Sequence, residues 1–336
     1  MLENAPLILV ILKLFKFKEE KIMNLIAVMG SGVMGHGIAQ LYAQNGRKIR
    51  LYDVKEEALD HAKAMIDNSL SVMVSKEIIT EEQKQQTLEN LEFTTNLSEA
   101  VKDVEMVVEV VPEIIDLKHK VYEELEAIVS EKTIIASNTS AIPLTELALH
   151  AKHPERFLIT HFFAPAQLIP LVEIIQMEGI TDPELLKNVT EFLTEVGKSP
   201  IVLKKEVPGF IANRIQLAIL REAFWLIENE VATAKDIDTV MKDSLGFRYV
   251  FLGPLEGQDI AGINTTYFVA QKLFPVISDM TEPPKFLKDM IDHNEVGLRT
   301  KKGFYEYTDD SAEEAIRRRN DNFLEVFKLR KKQQNI

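Results

Sequence analysis

The chain has no cysteine among its 336 residues. That excludes disulfides, thiolate nucleophiles and any metal centre built on sulfur, and it is compatible with a reducing cytoplasm, the expected location. Basic residues are short against acidic ones, 39 to 52, and the net charge of −13 disfavours nucleic acid and anionic membrane surfaces as partners. No long apolar run is present either: residues 6–17 are apolar but carry Lys13 and Lys16 and fall short of the roughly 20 residues that span a bilayer. Glu3 and Asn4 stand where a secretory signal would be basic, and no small-residue cleavage site follows. Residues 1–22 therefore read as an extension of a domain that begins at Met23, with a helix lying on a membrane surface as the alternative. The histidines at 36, 61, 119, 150, 153 and 293 show no metal-ligand spacing, and no metal is expected. With 46% hydrophobic residues the chain is long enough to bury the cores of two domains.

What is present is most informative between residues 25 and 53. An apolar run from Leu25 to Met29 enters Gly30, Gly32 and Gly35; Val33 and Met34 open an amphipathic stretch; and a second apolar run ends on Asp53, 18 residues past Gly35. The order is strand, turn, helix, strand, acid. The first glycine permits the tight turn, the second lets a pyrophosphate approach the backbone, and the third lets helix and strand pack closely. Phosphates then sit at the positive end of the helix. Asp53 is placed to accept hydrogen bonds from a ribose and to repel a 2′-phosphate, which points to NAD rather than NADP.

Alternating elements continue. Residues 55–75 and 81–90 are helical in composition, and short β-branched runs at 105–111, 132–137, 156–161, 171–175 and 199–203 predict a mostly parallel sheet covered on both faces. Asp182-Pro183 reads as a helix cap and first helical residue. After Val207-Pro208-Gly209 the period is helical to the end. The expected architecture is α/β: an N-terminal Rossmann-type doubly wound sheet at 23–207 followed by an all-helical domain at 208–336 with a charged, solvated tail.

Open α/β sheets bind ligands outside the carboxyl ends of their strands. Three predicted strand ends carry polar groups: Glu113, the run Ser137-Asn138-Thr139-Ser140, and His161, with Glu173 lying 12 residues further on in the next apolar run. Oxidising an alcohol needs a hydride acceptor, a base and donors for the developing oxyanion, and a His-Glu pair beside Ser140 offers the protein's share. Plainer readings stand beside this one. A histidine ending a buried strand is commonly structural, Glu173 could face solvent, and Asn138 and Ser140 could be turn and cap residues.

At these residues the sequence resembles the L-3-hydroxyacyl-CoA dehydrogenases and their relatives. The matching segments are Gly-Ser-Gly-Val-Met-Gly-His-Gly-Ile-Ala, Val-Val-Glu-Val-Val-Pro-Glu with Leu117-Lys118, Ala-Ser-Asn-Thr-Ser, His-Phe-Phe-x-Pro with Leu-Val-Glu-Ile, and Val-Pro-Gly-Phe-Ile-Ala-Asn-Arg. Further on come Gly253-Pro254-Leu255, Asp259-Ile260-Ala261-Gly262 and Lys302-Gly303-Phe304-Tyr305. The resemblance implies His161 as general base, Glu173 as its orienting partner, Ser140 on the reacting oxygen and Asn213 reaching in from the second domain. It also implies Glu113 and Lys118 in a cofactor-side loop, a CoA thioester as substrate, and homodimerisation through the helical domain.

One position departs from the pattern. Where the family's motif usually reads His-Phe-Phe-Asn-Pro, this chain has Ala164, which offers no side-chain hydrogen bond. The following Gln167-Leu168-Ile169-Pro170-Leu171 also resembles relatives acting on small polar substrates: gulonate, carnitine and pyridine-carboxylate dehydrogenases. A non-catalytic NAD-binding role, as in some lens crystallins, is a third reading, against which His161, Glu173 and Ser140 argue. The β-hydroxyacid dehydrogenases, which share the glycine fingerprint, would place a catalytic lysine where this chain has Asn213 and Arg214.

Overall fold

The computed structural model describes residues 23–334, so the predicted extension at 1–22 lies outside the described residues. Contacts divide the chain into two compact units, one comprising residues up to Phe210 together with Leu324 onward, the other Ile211–Phe323. Leu324, within the charged terminal stretch, is buried and counts with the first unit.

The first unit is built on an eight-stranded sheet of order β3-β2-β1-β4-β5-β6-β7-β8. Its strands are β1 (Leu25–Met29), β2 (Lys48–Tyr52), β3 (Leu91–Thr94), β4 (Met106–Glu109), β5 (Ile134–Ser137), β6 (Phe157–Phe162), β7 (Leu171–Ile175) and β8 (Ser199–Val202). The main helices are α1 (Val33–Gln44), α2 (Glu56–Ser75), α3 (Glu81–Glu89), α4 (Ile115–Ile128) and α5 (Pro183–Glu195). The central strands are mostly apolar because helices cover both faces; β4, β5 and β6 are buried at every residue, with their polar residues, Glu109, Ser137, Thr160 and His161, toward the carboxyl ends. Each buried Ile or Val there stabilises the fold by roughly 1.5–3 kcal/mol.

Two features go beyond the sequence expectation. Strand β3 was not foreseen: four residues at a sheet edge, directly behind α3, give too short a run to separate from the helix before it. Strand β7 runs antiparallel to β6, pairing His161 with Glu173 in register. The eight residues between these strands are enough for a return hairpin, whereas a parallel crossover needs a dozen or more. The cap at Asp182 is as expected, its side chain accepting from the Glu184 N–H at 2.8 Å.

The second unit is helical: α6 (Ala212–Glu228), α7 (Ala234–Val240) running through a π turn at Met241–Gly246, α8 (Pro254–Ala261), α9 (Ile263–Leu273), α10 (Lys285–Asp292) and the greater part of α11 (Asp309–Gln334). None of the helices α6 to α10 contains a buried residue. Large apolar side chains such as Leu217, Leu255 and Phe274 are more than half exposed.

Candidate active site

The glycine turn has the geometry its sequence requires. Gly30 sits at φ +105°, and a Cβ there would lie 2.9 Å from the Val110 carbonyl oxygen. At Gly35 an added Cβ would come within 1.8 Å of the Gly30 oxygen, so helix α1 rests directly on the strand end. At Gly32, by contrast, a Cβ would meet nothing within 4 Å: the space over the helix N-terminus is open. That is the cradle a pyrophosphate needs, and the residues present fit NAD. Asp53 directly follows β2 and binds the turn itself, accepting from the Ser31 N–H at 2.9 Å and the Ser31 hydroxyl at 2.8 Å, with Lys55 N–H on its other oxygen. Val33 is exposed and Met34 partly buried at the start of α1. His36, one turn on, contacts the Gly32 carbonyl through Nδ1 at 2.9 Å, and burial lowers its pKa.

The ends of β4 and β5 are tied together by a buried carboxylate that sequence reasoning missed. Glu109 is fully buried and accepts from Lys118 Nζ (2.7 Å), the Tyr122 hydroxyl (2.5 Å), the Ser137 hydroxyl (2.7 Å) and Val111 N–H (2.8 Å). Burial and the neighbouring Glu109 charge both push the Tyr122 phenol up, so it stays a donor. Lys118 stands in the first turns of α4, not in the loop, and its ammonium bridges Glu109 to Glu113 at 3.3 Å. Removing one partner of such a buried pair costs about 3–5 kcal/mol. Glu113 in turn accepts from the Thr139 hydroxyl and from Ser140 N–H at 3.2 Å. Burial pushes the Glu113 carboxyl up, but Thr139 and Lys118 more than offset it and hold the group below its usual range. The predicted Glu113, Lys118 and Ser140 thus form one connected cluster.

Beside it, Asn138 turns its side-chain oxygen to the Phe162 N–H at 2.9 Å, locking the end of β5 to the residue after His161. His161 Nδ1 lies 2.8 Å from Glu173 Oε2, with both side chains almost fully buried. The ring is flanked by Phe163 and Phe210 at centroid distances of 4.4 and 5.4 Å. In the tautomer that donates Nδ1–H to the carboxylate, the lone pair is on Nε2. Sequence spacing could suggest this pair; the antiparallel register brings it together. Asn213 is partly buried in the first turn of α6 and belongs to the second unit. Among the described residues no three His, Asp or Glu side chains cluster as a metal would need, and no helix is long and apolar enough to cross a membrane.

A dinucleotide cradle at one strand end and a buried His-Glu pair at others along the same sheet define a nicotinamide-dependent oxidoreductase. Comparison with known proteins narrows this. Residues 25–207 match the 3-hydroxyacyl-CoA dehydrogenase NAD-binding domain and 209–307 the family's C-terminal domain. The chain is 34% identical over 288 residues to a 3-hydroxybutyryl-CoA dehydrogenase of Bradyrhizobium diazoefficiens, covering 85% of this chain and 96% of that one. It is 32% identical over 283 residues to a 5-formyl-3-hydroxy-2-methylpyridine 4-carboxylate 5-dehydrogenase of Mesorhizobium japonicum, covering 84% and 90%. A solved structure of a dehydrogenase of that name, described as an NAD+ dependent dismutase, matches with a TM-score of 0.84 at 30% identity, covering 92% and 97%. The chain belongs to the 3-hydroxyacyl-CoA dehydrogenase family. It is an oxidoreductase that uses NAD.

Proposed function

We propose that the chain oxidises the 3-hydroxyl of a 3-hydroxyacyl-CoA to the ketone, and catalyses the reverse reduction, with His161 as the base. The single observation that carries the reading is the 2.8 Å contact between His161 and Glu173, buried where the sheet presents its ligands. NAD+, when bound, supplies the hydride acceptor. Nε2 of His161 takes the hydroxyl proton while Glu173 stabilises the imidazolium; in reduction the same atom returns it. The Ser140 hydroxyl and Asn213 hold the substrate oxygen and the acyl portion. Glu113, Lys118 and Asn138 keep the strand ends in place on the cofactor side, and the glycine turn with Asp53 holds the dinucleotide. The paired phenylalanines exclude water around the imidazole, which strengthens its interaction with Glu173.

A second reading, the same chemistry on a small free hydroxy acid, is favoured by the connection after His161. Ala164 is exposed and has no hydrogen-bonding side chain. Gln167, the neighbour best able to replace an asparagine, directs its amide elsewhere: Oε1 packs against Gly37, 2.6 Å from where a Cβ would sit, and Nε2 is 3.5 Å from the Ser69 hydroxyl. The likeness to the pyridine-carboxylate dehydrogenase supports the same reading.

A substrate panel followed by NADH absorbance separates the two: acetoacetyl-CoA and longer 3-ketoacyl-CoAs for reduction, gulonate, carnitine and a pyridine-carboxylate for oxidation. Turnover of the thioesters alone supports the first reading, and turnover of the free acids alone supports the second. The apolar side chains left uncovered on the second unit support homodimerisation through it. A monomer in sedimentation at micromolar concentration refutes that assignment.

A further inference from the structure

We propose that a pocket beneath the β6–β7 connection, lined by Lys198 and Arg330, is a binding site for a small multivalent oxyanion such as phosphate or a polycarboxylate. The pocket has a volume of about 400 Å³ and lies within the first unit, between the last turn of α1, helices α2 and α3, the β6–β7 connection, the corner entering β8 and helix α11. The dinucleotide cradle is at the other end of α1, about 18 Å away at 1.5 Å per residue, so the two sites are separate.

The argument rests on charge. Four cationic side chains are buried among the described residues: Arg47, Lys118, Arg156 and Lys198. Arg47 is paired with Glu195, Lys118 with Glu109 and Glu113, and Arg156 with Glu126. Lys198 has no carboxylate partner among the described residues. Its Nζ donates to the Ala166 and Ile169 carbonyls at 2.5 and 2.7 Å, which leaves the third of its three donors without a protein acceptor among the described residues. Burial with nothing to offset it pushes the Lys198 ammonium down to about 7.

Arg330, on α11, lines the same pocket, and no ion pair joins it to another of the described residues. No described acidic residue lines the space; its polar wall is neutral, with Gln44, Gln83, Gln86 and Asn90. In a chain of net charge −13, Arg330 and Lys198 line a cavity with no described acid, and an anion bound there would hold the Lys198 amine in its charged form. An oxyanion would supply both the missing acceptor and the counter-charge. Because Lys198 also grips the segment joining His161 to Glu173, an anion there shares one ammonium with the catalytic hairpin.

The test is calorimetric titration of the full chain, saturated with NADH to fill the glycine cradle, in chloride buffer at constant ionic strength. Inorganic phosphate is the titrant in one arm and citrate in another. Saturable binding of at least one, with Kd of about 1 mM or tighter, is expected, and Arg330→Gln should weaken it about tenfold, as loss of one charge-assisted hydrogen bond requires. Lys198→Met should abolish it; if that variant does not fold, judged by circular dichroism, Arg330→Gln decides. Absence of saturable binding in both arms, or a change of less than about threefold in Arg330→Gln, overturns the proposal.

Discussion

Adding one methyl group at Gly32 or at Gly35 should separate cofactor binding from folding, two roles that the glycine turn combines. At Gly32 the backbone lies at φ −63°, ψ −162°, which alanine adopts freely, and the Cβ would enter open space. The gain from a stiffer unfolded chain and the loss of a preferred N-cap residue are each about 0.5–1 kcal/mol and oppose one another, so apo stability should change by less than about 0.5 kcal/mol. The methyl would occupy the position the pyrophosphate needs, and NADH should bind about 100-fold more weakly, equivalent to about 2.7 kcal/mol. At Gly35 the new Cβ would lie 1.8 Å from a carbonyl oxygen, so helix and strand must separate by more than 1 Å. Overpacking of this kind costs about 1–3 kcal/mol, or roughly 2–12 °C in Tm for a domain of this size. The assays are differential scanning fluorimetry of the apo protein and NADH fluorescence titration of each variant. Wild-type NADH affinity in Gly32→Ala refutes the cradle, and wild-type Tm in Gly35→Ala refutes the close packing.

Other substitutions test the remaining parts. His161→Ala should abolish turnover while NADH still binds, and Glu173→Gln should lower kcat by about 10²-fold or more; near-normal rates in His161→Ala would remove it from the mechanism. Asp53→Asn should retain the hydrogen bonds to Ser31 while losing the charge, narrowing the preference for NAD over NADP at near-constant NADH affinity. Asp53→Ala should also release the turn, at about 1–3 kcal/mol for the buried Ser31 groups left unpaired. Equal wild-type kcat/KM with both cofactors would refute the role of the charge. If the missing asparagine limits thioester binding, Ala164→Asn should raise kcat/KM for acetoacetyl-CoA by about tenfold, one buried hydrogen bond; efficient wild-type turnover with no gain in the variant would make the departure neutral.

The parts of this molecule legible in the sequence were those governed by local rules. Gly30, Gly32 and Gly35 announce themselves because close approach and positive φ tolerate few alternatives, and Asp182-Pro183 because capping is settled within four residues. The buried strands were readable as β-branched runs. Glu109 was hidden for a different reason: an acid in Met-Val-Val-Glu-Val-Val looks solvent-facing until Lys118, Tyr122 and Ser137 converge on it from other elements. Lys198 was overlooked in the same way, since nothing in Val-Gly-Lys-Ser-Pro shows that its ammonium reaches back to Ala166 and Ile169. The direction of β7 was likewise a tertiary fact that no strand propensity encodes.

That antiparallel register places His161 and Glu173, the proposed proton-transfer pair, on one rung of a ladder and leaves the connection between them outside it. Residue 161 faces residue 173 because strands β6 and β7 pair, whatever sequence joins them. The loop can therefore be rewritten, as at Ala164, without shifting the base from its carboxylate. Exchanging residues 164–170 among relatives, with Phe163 kept against the imidazole, would show whether the proposed selectivity moves with the loop while the base stays in place.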